Sequence, residues 1–591
     1  MKLKLISVAA AIGSMLIGAA SCVKINESLG ENFIPKDQIW NVFPCEAVVL
    51  EDITMERSDS LSGYSTTRFT FGSIKDDNFT STKGTSFTLV PISDSLDFGE
   101  DTEVLQFHFT AVRDTVSVLY DYQERILQNI YVYSLTEPLD STILYTGDRD
   151  RLKIDRSETI TEGTPIYNGG DSLSFDFSKK YSLAVIDGIK GWMKEYGGER
   201  TDSLSYYLKH VPGIYMETAE QTENGGRINM FDLPISNADG YIDGNYAELK
   251  IRAKYDGEVK DTMFVFYFGP SEFLNDESTS YPSQYAFNTS SNDAGEGFFA
   301  EWENGQRDKL YVEGGSGYKP VVRAEEIKRL IDELIATEAP DVDVNSVVIN
   351  KATIILPYNV GTDYEKLDKY PMYLSPTVKI PINNGDYVSY AGLTDSSIES
   401  ENQGNINRSL SIYSPDVSHH IQEIVKLKRG EGKNVKADET EEEFELRRSK
   451  YDIWFLILHE EITETSSSSS SSYNDYYNNL LYNSYYNNMM YDPYGYGYGY
   501  GGYGGYGYGG YGYGGYGYDS YGYGYNNYYN YLMMAQYASA SSSSSNTSSS
   551  IELDKDRFYN AVLNGPSAGG NDINQKPRLK ITFSAPKKAE E

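Results

Sequence analysis

The sequence predicts a mainly β fold with a few helices, of the α+β class. Two observations predict it: many short runs in which apolar and polar residues alternate, typical of strands with one buried face, and a few stretches with apolar residues at helical spacing. Turns rich in glycine and asparagine separate these runs. A length of 591 residues is enough for more than one domain. We therefore predict an N-terminal β-rich domain at 40–310 and a C-terminal one at 311–591.

Strand patterns dominate the N-terminal domain. The clearest alternating runs are Leu105, Phe107 and Phe109, then Ile130 and Val132, then Leu249, Ile251 and Ala253. A turn at Asp256-Gly257 separates the last run from the apolar run 263–268, which predicts a β-hairpin. Two helices are predicted between the strands, at 178–196 and 203–209. In the first, Leu183, Ile186 and Lys190 fall on one face, which we expect to pack in the core.

The C-terminal domain opens with an amphipathic helix. Its apolar residues recur at i, i+3, i+4, i+7 and i+8, namely Ile327, Leu330, Ile331, Leu334 and Ile335. A second helix is predicted after Pro415 with Asp416 as its N-cap. Strands are predicted at 347–356, 372–380, 453–458 and 578–583. The run 453–458 is apolar throughout and suits a buried central strand, and 578–583 suits a closing strand.

Residues 466–550 form a low-complexity insert of serine, tyrosine, asparagine and glycine. Its stretch 473–537 holds 25 of the chain's 54 tyrosines and no lysine or arginine. Alternating Tyr-Gly cannot build a packed core, because glycine loses much conformational entropy on ordering and buries little surface. We predict a long disordered loop between the last two strands of a sheet. It is either a tolerated insertion or an adhesive patch whose tyrosine rings stack on sugars or on other copies.

The N-terminus has the features of an export signal. Lys2 and Lys4 precede a short apolar run that ends in Ala19-Ala20-Ser21-Cys22, which indicates a signal peptide at 1–21 and not a membrane span of roughly 20 apolar residues. Small residues directly before the cysteine resemble the lipobox of bacterial lipoproteins. That resemblance implies cleavage before Cys22 and its acylation with chains such as palmitate, which would give stable membrane anchoring. The alternative is an ordinary signal with a chance cysteine.

Charge and the residues after Cys22 indicate the partners and the location. The formal net charge of −35 disfavours nucleic acid and should repel anionic lipid headgroups, so we expect the acyl chains to hold the protein at the membrane. Residues 22–39 suit a tether. Val23 stands where inner-membrane lipoproteins typically carry aspartate, which by resemblance favours the outer membrane. Only Glu27 and Glu31 stand where a dense acidic surface-export run often lies, yet we expect the cell surface rather than the periplasmic face.

We find no catalytic constellation and predict no cofactor. The segment Gly565–Gly569 fits the nucleophile-elbow pattern, but no histidine follows His459 and the turn leads to a strand. Asp341, Asp343 and Asn345 begin a calcium-loop pattern that lacks its glycine and its bidentate glutamate. Five histidines and the single remaining cysteine, Cys45, offer no metal-site spacing. We therefore predict a protein that is not an enzyme, with a carboxylate pair for glycoside hydrolysis as the least favoured alternative.

The pattern Asp-Ser/Thr-apolar recurs along the N-terminal half. It resembles the acceptor motif of O-glycosylation in exported Bacteroidota proteins, whereas Asp-Ser also simply starts turns. Both interpretations stay open. The possible acceptor residues are Ser60, Ser95, Thr115, Ser141, Ser172, Ser203 and Thr262.

Several short motifs occur in an order that resembles a Bacteroidota lipoprotein family, domain of unknown function 4270. They are Cys22 with Leu29-Gly30, Phe33 and Pro35; Gly72, Asp76 and Phe79; Gly225-Gly226 before Met230; Asn350-Lys351-Ala352; and Gly565 with the segment 577–582. The family implies no activity and no site residue except Cys22. The closing strand resembles that of jelly-roll modules, which implies two jelly-roll-like β-sandwich units. We expect a non-enzymatic structural or interaction component that contacts another envelope protein or supports its assembly, with a surface glycan-binding module as the alternative.

Overall fold

The computed structural model describes residues 40–44, 47–94, 96–114, 126–139, 142–196, 203–238, 241–274, 281–294, 298–361, 367, 370–382, 387–393, 395, 402–432, 435–464 and 547–586. The predicted signal peptide, Cys22, the tether and Cys45 lie outside these ranges. So does the low-complexity insert as far as residue 546.

The described chain is mainly β, with several antiparallel sheets and six α-helices. The helices are α1 Lys179–Tyr196, α2 Ser203–His210, α3 Phe298–Glu303, α4 Ala324–Glu338, α5 Ser418–Lys426 and α6 Glu441–Ser449. The first eighteen strands are β1 Trp40–Pro44, β2 Val48–Val49, β3 Thr54–Arg57, β4 Tyr64–Ser65, β5 Arg68–Lys75, β6 Phe79–Phe87, β7 Leu89–Pro91, β8 Glu100–Val112, β9 Gln128–Leu135, β10 Ile154–Asp155, β11 Ile166–Tyr167, β12 Ser172–Asp176, β13 Ile214–Thr218, β14 Gly225–Asp232, β15 Ile235–Ala238, β16 Tyr241–Gly244, β17 Tyr246–Tyr255 and β18 Glu258–Phe268. The remaining strands are β19 Ala286–Ala294, β20 Lys309–Glu313, β21 Tyr318–Val322, β22 Val348–Pro357, β23 Tyr373–Ile382, β24 Tyr387–Gly392, β25 Ile406–Asn407, β26 Ile412–Tyr413, β27 Ile453–Glu464, β28 Thr547–Leu553, β29 Asn560–Asn564 and β30 Arg578–Pro586.

The N-terminal unit is built from two sheets around one core. One sheet has the order β10-β9-β13-β6-β19-β4, with β11, β14 and β5 attached, and the other has the order β12-β8-β17-β18-β7. Their facing side chains, among them Phe69, Phe109 and Phe268, form a single buried cluster with α1. Burial of apolar surface between the sheets stabilises this β-sandwich-like arrangement.

The C-terminal unit also has two large sheets and one shared core. One sheet has the order β1-β30-β22-β26-β25, with β2 attached to β30, and the other has the order β24-β23-β27-β21-β3, with β28 attached to β27. Helices α4 and α5 contribute Ile327, Ile331 and Ile421 to the core, all at most 1% exposed. The jelly-roll connectivity expected from the resemblance stays a prediction.

The predicted boundary of the N-terminal domain needs correction. Strand β1 pairs with β30, with Trp40 opposite Pro586, and β3 pairs with β21, with Thr54 opposite Val321. Residues 40–57 of the predicted 40–310 domain therefore belong to the C-terminal sheets, because an N-terminal strand can complete a distant sheet edge. The boundary at residue 310 also falls inside β20.

Local patterns with strong turn or burial signals are confirmed. Asp256 and Gly257 have positive φ angles of 50° and 83° and join β17 directly to β18, as a two-residue hairpin turn requires. The run 453–458 lies in β27, between β23 and β21, and is buried at every position. The closing strand is β30.

Two predictions about which side chains are buried are wrong. Leu105 is 38% exposed because a bulge puts it between the pairs Gln106–Lys250 and Val104–Ile251, which reverses the alternation. Helix α1 buries Ile186 but exposes Leu183 and Lys190. The buried face of the helix is rotated by one residue relative to the predicted face.

The N-cap of α5 is also not Asp416. Val417 holds that position, and the free N–H groups of His419 and His420 donate to the carboxylate of Asp395, at 2.7 Å and 3.1 Å. A residue more than twenty positions upstream thus caps the helix, which local sequence patterns do not reveal.

The end of the low-complexity insert is likewise corrected. Residues 547–550 lie in β28, which pairs with β27 from Glu464–Thr547 to Leu458–Leu553. Three strands follow the insert, β28, β29 and β30, where we expected one. The insert therefore joins two neighbouring antiparallel strands and is bounded at 465–546.

Candidate functional site

The predicted modification residues lie in different environments. Cys22, Ser95, Thr115 and Ser141 are outside the described ranges. Ser172 is exposed on β12, whereas Ser203 and Thr262 are half-buried. Ser60 is only 8% exposed, and its hydroxyl donates to Asp59 Oδ1 at 2.9 Å. A glycan on Ser60 would therefore have to be attached before the chain folds, and Ser172 is the most accessible of the described acceptors.

Several motif residues of the family resemblance meet in one place, where they serve packing. Gly72 on β5 and Gly226 on β14 have φ angles of 148° and 103°, and a Cβ on either would lie 2.2 Å from a backbone carbonyl oxygen of the opposite strand. Asp76 Oδ1 accepts hydrogen bonds from the backbone N–H groups of Asn78 and Phe79, both at 2.8 Å. These residues fix the β5–β6–β14 arrangement, and they hold no open site.

The most unusual chemical feature is a buried group of charges between the two units, which we call the junction cluster. Four cations and four anions belong to it, and each residue is at most 5% exposed. They are Arg68, Lys83 and Asp114 of the N-terminal unit and Glu313, Lys319, Asp554, Asp556 and Arg557 of the C-terminal unit. Charged side chains are rarely this buried unless they are paired.

Arg68 connects the two units within this cluster. Its guanidinium donates to Asp114 Oδ2 at 2.9 Å and to Asp556 Oδ2 at 3.5 Å. The other oxygen of Asp556 accepts from Asn288 Nδ2 at 3.3 Å. One carboxylate of the C-terminal unit is thus held by two side chains of the N-terminal unit.

Two lysines are also buried in the cluster, and Lys83 bonds across the two units. Lys83 Nζ donates to the carbonyl oxygen of Lys555 at 2.6 Å. Lys319 Nζ donates to the carbonyl oxygens of Glu313, Gly315 and Gly317, the last two at 3.1 Å and 3.2 Å. Backbone carbonyls therefore satisfy most of the buried ammonium protons.

The segment 554–557 follows directly after β28. Arg557 donates to Asp554 at 3.0 Å, and Lys555 Nζ donates to the carbonyl oxygen of Tyr64 in the N-terminal unit at 2.7 Å. The strand that emerges from the low-complexity insert therefore leads at once into the contact between the units.

Burial controls the electrostatics of the cluster. It raises the pKa of Glu313 to about 7 and lowers that of Lys319 to about 7. For Asp556, burial raises the pKa, but Arg68 and the neighbouring cations outweigh it, and the pKa lies below its usual value. Burial, with Arg557 and Arg68 nearby, also lowers the pKa of His459 to about 2. His459 is thus neutral and shares a hydrogen bond of 2.9 Å with the hydroxyl of Tyr559.

The arrangement can hold the two units together, and it gives a substrate no access to its charges. Perturbed pKa values often mark catalytic sites, but ion-pair networks between structural elements perturb them as well. Since every charged member is almost fully buried, we interpret the junction cluster as a structural contact.

Sequence patterns do not predict this cluster. The run Asp554-Lys555-Asp556-Arg557 has the pattern of a solvated charged turn, and its partners lie far away, Arg68 and Asp556 being 488 positions apart. Its place between two strands that follow the insert was the only available indication.

One cleft, of about 710 Å³, lies between β2 and α4. Its lining is Pro44, Ala47, Val48, Val49, Glu51, Arg329, Leu330, Leu334 and Glu338. Sugars are commonly recognised by aromatic rings that stack on them, and none of these nine residues is aromatic. The cleft therefore gives no support to the glycan-binding alternative.

Within the described ranges, no group of three or more His, Cys, Asp or Glu side chains could hold a metal ion. The helices that the structure describes are all too short or too polar to cross a bilayer. Comparison with protein-family models, with curated proteins and with solved structures finds no match for this chain. The resemblance to domain of unknown function 4270 therefore stays a prediction.

Proposed function

We propose that this protein is a non-enzymatic lipoprotein of the outer membrane, anchored through acylated Cys22, that contacts another envelope protein or supports its assembly. The body faces the cell surface, and the low-complexity insert 465–546 makes the contact. The proposal draws on the export signal, the family resemblance and one structural relationship.

That relationship is the pairing of β27 with β28. Their ladder continues as far as Glu464 and Thr547, the residues that flank the insert on either side. Strand β27 is central in its sheet, and its residues 453–458 are buried. Segments that bind partners are commonly loops held at both ends by a rigid scaffold. An insert attached in this way can serve binding without contributing to the core.

Two variants test the role of the insert. The first replaces 465–546 with Asn-Gly, which favours a two-residue hairpin turn. The second keeps the length and changes the 25 tyrosines of 473–537 to serine. We expect pull-down from detergent-solubilised envelopes to recover a stoichiometric protein partner with the unchanged chain and with neither variant.

Recovery of the same partner with both variants would contradict the proposal. Loss with the first variant alone would assign the contact to the backbone of the insert rather than to its tyrosine rings. If the unchanged chain recovers no protein but binds a glycan array, and both variants lose that binding, the glycan-binding alternative replaces the proposal.

The anchor is tested separately by the intact mass of the native protein. We expect a chain that begins at Cys22 and carries the added mass of acyl chains. An unmodified Cys22 would remove the membrane part of the proposal. The same measurement shows whether glycans are present, because lipid alone accounts for a smaller mass than lipid plus sugar.

A further inference from the structure

The outer side of the sheet β1-β30-β22, which we call the tether face, combines exposed apolar and cationic side chains. Trp40 is 44% exposed and Val42 is 61% exposed. Lys351 and Lys580 are exposed on the neighbouring strands. Strand register places them together, since Val42 is opposite Ser584, and Lys351 is opposite Thr582, two residues along β30 from Lys580.

The opposite side of the same sheet is the core side. Phe43 stacks on Phe583 with ring centroids 5.0 Å apart, and Phe583, Ile581 and Leu579 belong to the buried cluster. Because side chains alternate along a strand, Trp40 and Val42 must point away from that core. The strand register therefore places Trp40 and Val42 on the outer side of the sheet.

The local charge on this face differs from that of the whole protein. Strands β1, β22 and β30 contain Lys351, Arg578 and Lys580 and no aspartate or glutamate, although the chain has 86 acidic and 51 basic residues. Both lysines are exposed. Lys351 also contacts the buried carboxylate of Asp416. The expected repulsion between the acidic body and anionic lipids is therefore reduced at this face.

Strand β1, the first described strand after Cys22, is the edge strand of the sheet that carries the tether face. Strand β1 begins at Trp40, and the residues from Cys22 to that point span at most about 60 Å even when fully extended. Tryptophan favours the interface between a bilayer and water, and lysine and arginine near it are attracted by anionic headgroups. An exposed tryptophan and valine on a sheet edge would otherwise be a liability for aggregation.

We propose that the tether face docks on the surface of an anionic phospholipid bilayer, with Trp40 and Val42 entering the headgroup region and Lys580 contacting lipid phosphates. This inference rests on the proposed membrane anchoring and extends it: the acyl chains supply attachment, and the tether face sets the orientation of the body.

The test uses the mature chain with Cys22→Ser, so that no acyl chain contributes to binding. It is floated with vesicles of phosphatidylethanolamine and phosphatidylglycerol, and with vesicles of phosphatidylcholine as the neutral reference. The test variant is Val42→Asp with Lys580→Glu. The matched control is Val259→Asp with Lys260→Glu on β18, because Val259 is 59% exposed, close to the exposure of Val42, and Lys260 is also exposed.

We expect the unchanged protein and the control to float with the anionic vesicles, with the test variant binding about tenfold more weakly, since apolar contact and lipid charge both contribute. Circular dichroism confirms that both variants fold. Equal binding of the test and control variants overturns the inference, and so does absence of binding by the unchanged protein. If vesicles do not bind but the test variant loses an envelope protein in pull-down, the face binds protein instead. The native mass of Cys22 is independent of these results, so failure of the anchor and failure of the docking are distinguishable.

Discussion

Glu464 and Thr547 are partners in one antiparallel ladder, although residues 465–546 lie between them. Because the flanking strands are hydrogen-bonded up to this point, the strand pairing itself holds the two ends of the insert together. The described residues on either side of the insert already form an extensive buried cluster in each unit. The stability of the body should therefore be nearly independent of what the loop contains.

Replacing 465–546 with Asn-Gly should leave the Tm of the body unchanged or slightly raised. A shorter loop costs less closure entropy, and that cost grows only slowly with length, by about 0.6 kcal/mol for each doubling. Differential scanning calorimetry of the variant and the unchanged protein measures the effect. A Tm lowered by many degrees would show that the insert contributes contacts to the folded body.

Asp556→Ala should destabilise the protein by about 3–5 kcal/mol, because it leaves the guanidinium of Arg68 with one buried carboxylate partner fewer. The matched control is Asp261→Ala, which removes the carboxylate from an exposed pair with Arg252 at 2.8 Å. Exposed pairs contribute little to stability, because solvent and salt screen them. Urea unfolding measures both variants, and equal losses would contradict the structural role of the junction cluster.

Glu326→Gln should stabilise the protein at neutral and alkaline pH. Glu326 is 3% exposed, and burial raises its pKa to about 7. Between pH 4.5 and 7 the folded state keeps a proton that the unfolded chain has lost, so the wild-type stability falls as pH rises through this window. The variant lacks this loss and should gain about 3 kcal/mol relative to wild type above pH 7.

Thermal melts of both proteins between pH 4 and pH 8.5 measure this difference. The control is Glu325→Gln, whose side chain is exposed next to Glu326, so that it should not stabilise the protein because it removes no buried carboxylate. A constant difference between Glu326→Gln and wild type across the range would contradict the prediction.

His420→Gln should reduce the sensitivity of the fold to acid. The buried imidazole is 2.8 Å from the carbonyl oxygen of Tyr451 through Nε2, and burial lowers its pKa to about 4. As pH falls from 6.5 to 4, the unfolded chain takes up a proton that the folded state does not, so wild type loses stability. Glutamine keeps a donor for the Tyr451 carbonyl and does not titrate.

The measurement is unfolding at pH 7.5 and at pH 4.5. Loss of the packing of the imidazole ring affects stability at both pH values alike, so the quantity of interest is the change in stability between them, which should be smaller in the variant. An equal change in both proteins would assign the acid sensitivity to other groups, such as His459.

Gly226→Ala should be far more damaging than Gly225→Ala. Both glycines have positive φ angles, of 103° and 120°, but only a Cβ on Gly226 meets an atom, the carbonyl oxygen of Ser73 at 2.2 Å. The left-handed conformation alone costs roughly 1–2 kcal/mol, and the clash at Gly226 adds the displacement of β5 from β14. Chemical unfolding compares the two, and similar losses would indicate that β14 shifts easily.

The short-range features of this fold were predictable and the long-range ones were not. The hairpin at Asp256-Gly257 and the central strand 453–458 follow from turn chemistry and from burial within a few residues. The pairing of β1 with β30 joins the two ends of the described chain, and no local pattern selects it. The bulge at Leu105 interrupts the alternation of buried and exposed side chains along β8, because one extra residue moves a side chain to the other face of the sheet.

The same distinction applies to the sites. The predicted lipidation motif and the low-complexity insert are visible in the sequence because they are local. The junction cluster joins residues from opposite ends of the chain, and its charges resemble an ordinary polar surface until the sheets bring them together. The tether face also depends on register, since only the pairing of Val42 with Ser584 places Val42 on the outer side.

The adjacency of Trp40 and Pro586 has a practical consequence for labelling. Trp40 and Pro586 are neighbours on adjacent strands, so an affinity tag or fluorescent fusion at the carboxyl terminus would be attached close to the tether face. A reporter inserted between Glu464 and Thr547 leaves from a different hairpin and avoids that position. The same adjacency makes a circular permutant feasible, with a short linker joining the old termini and new ones opened within the insert.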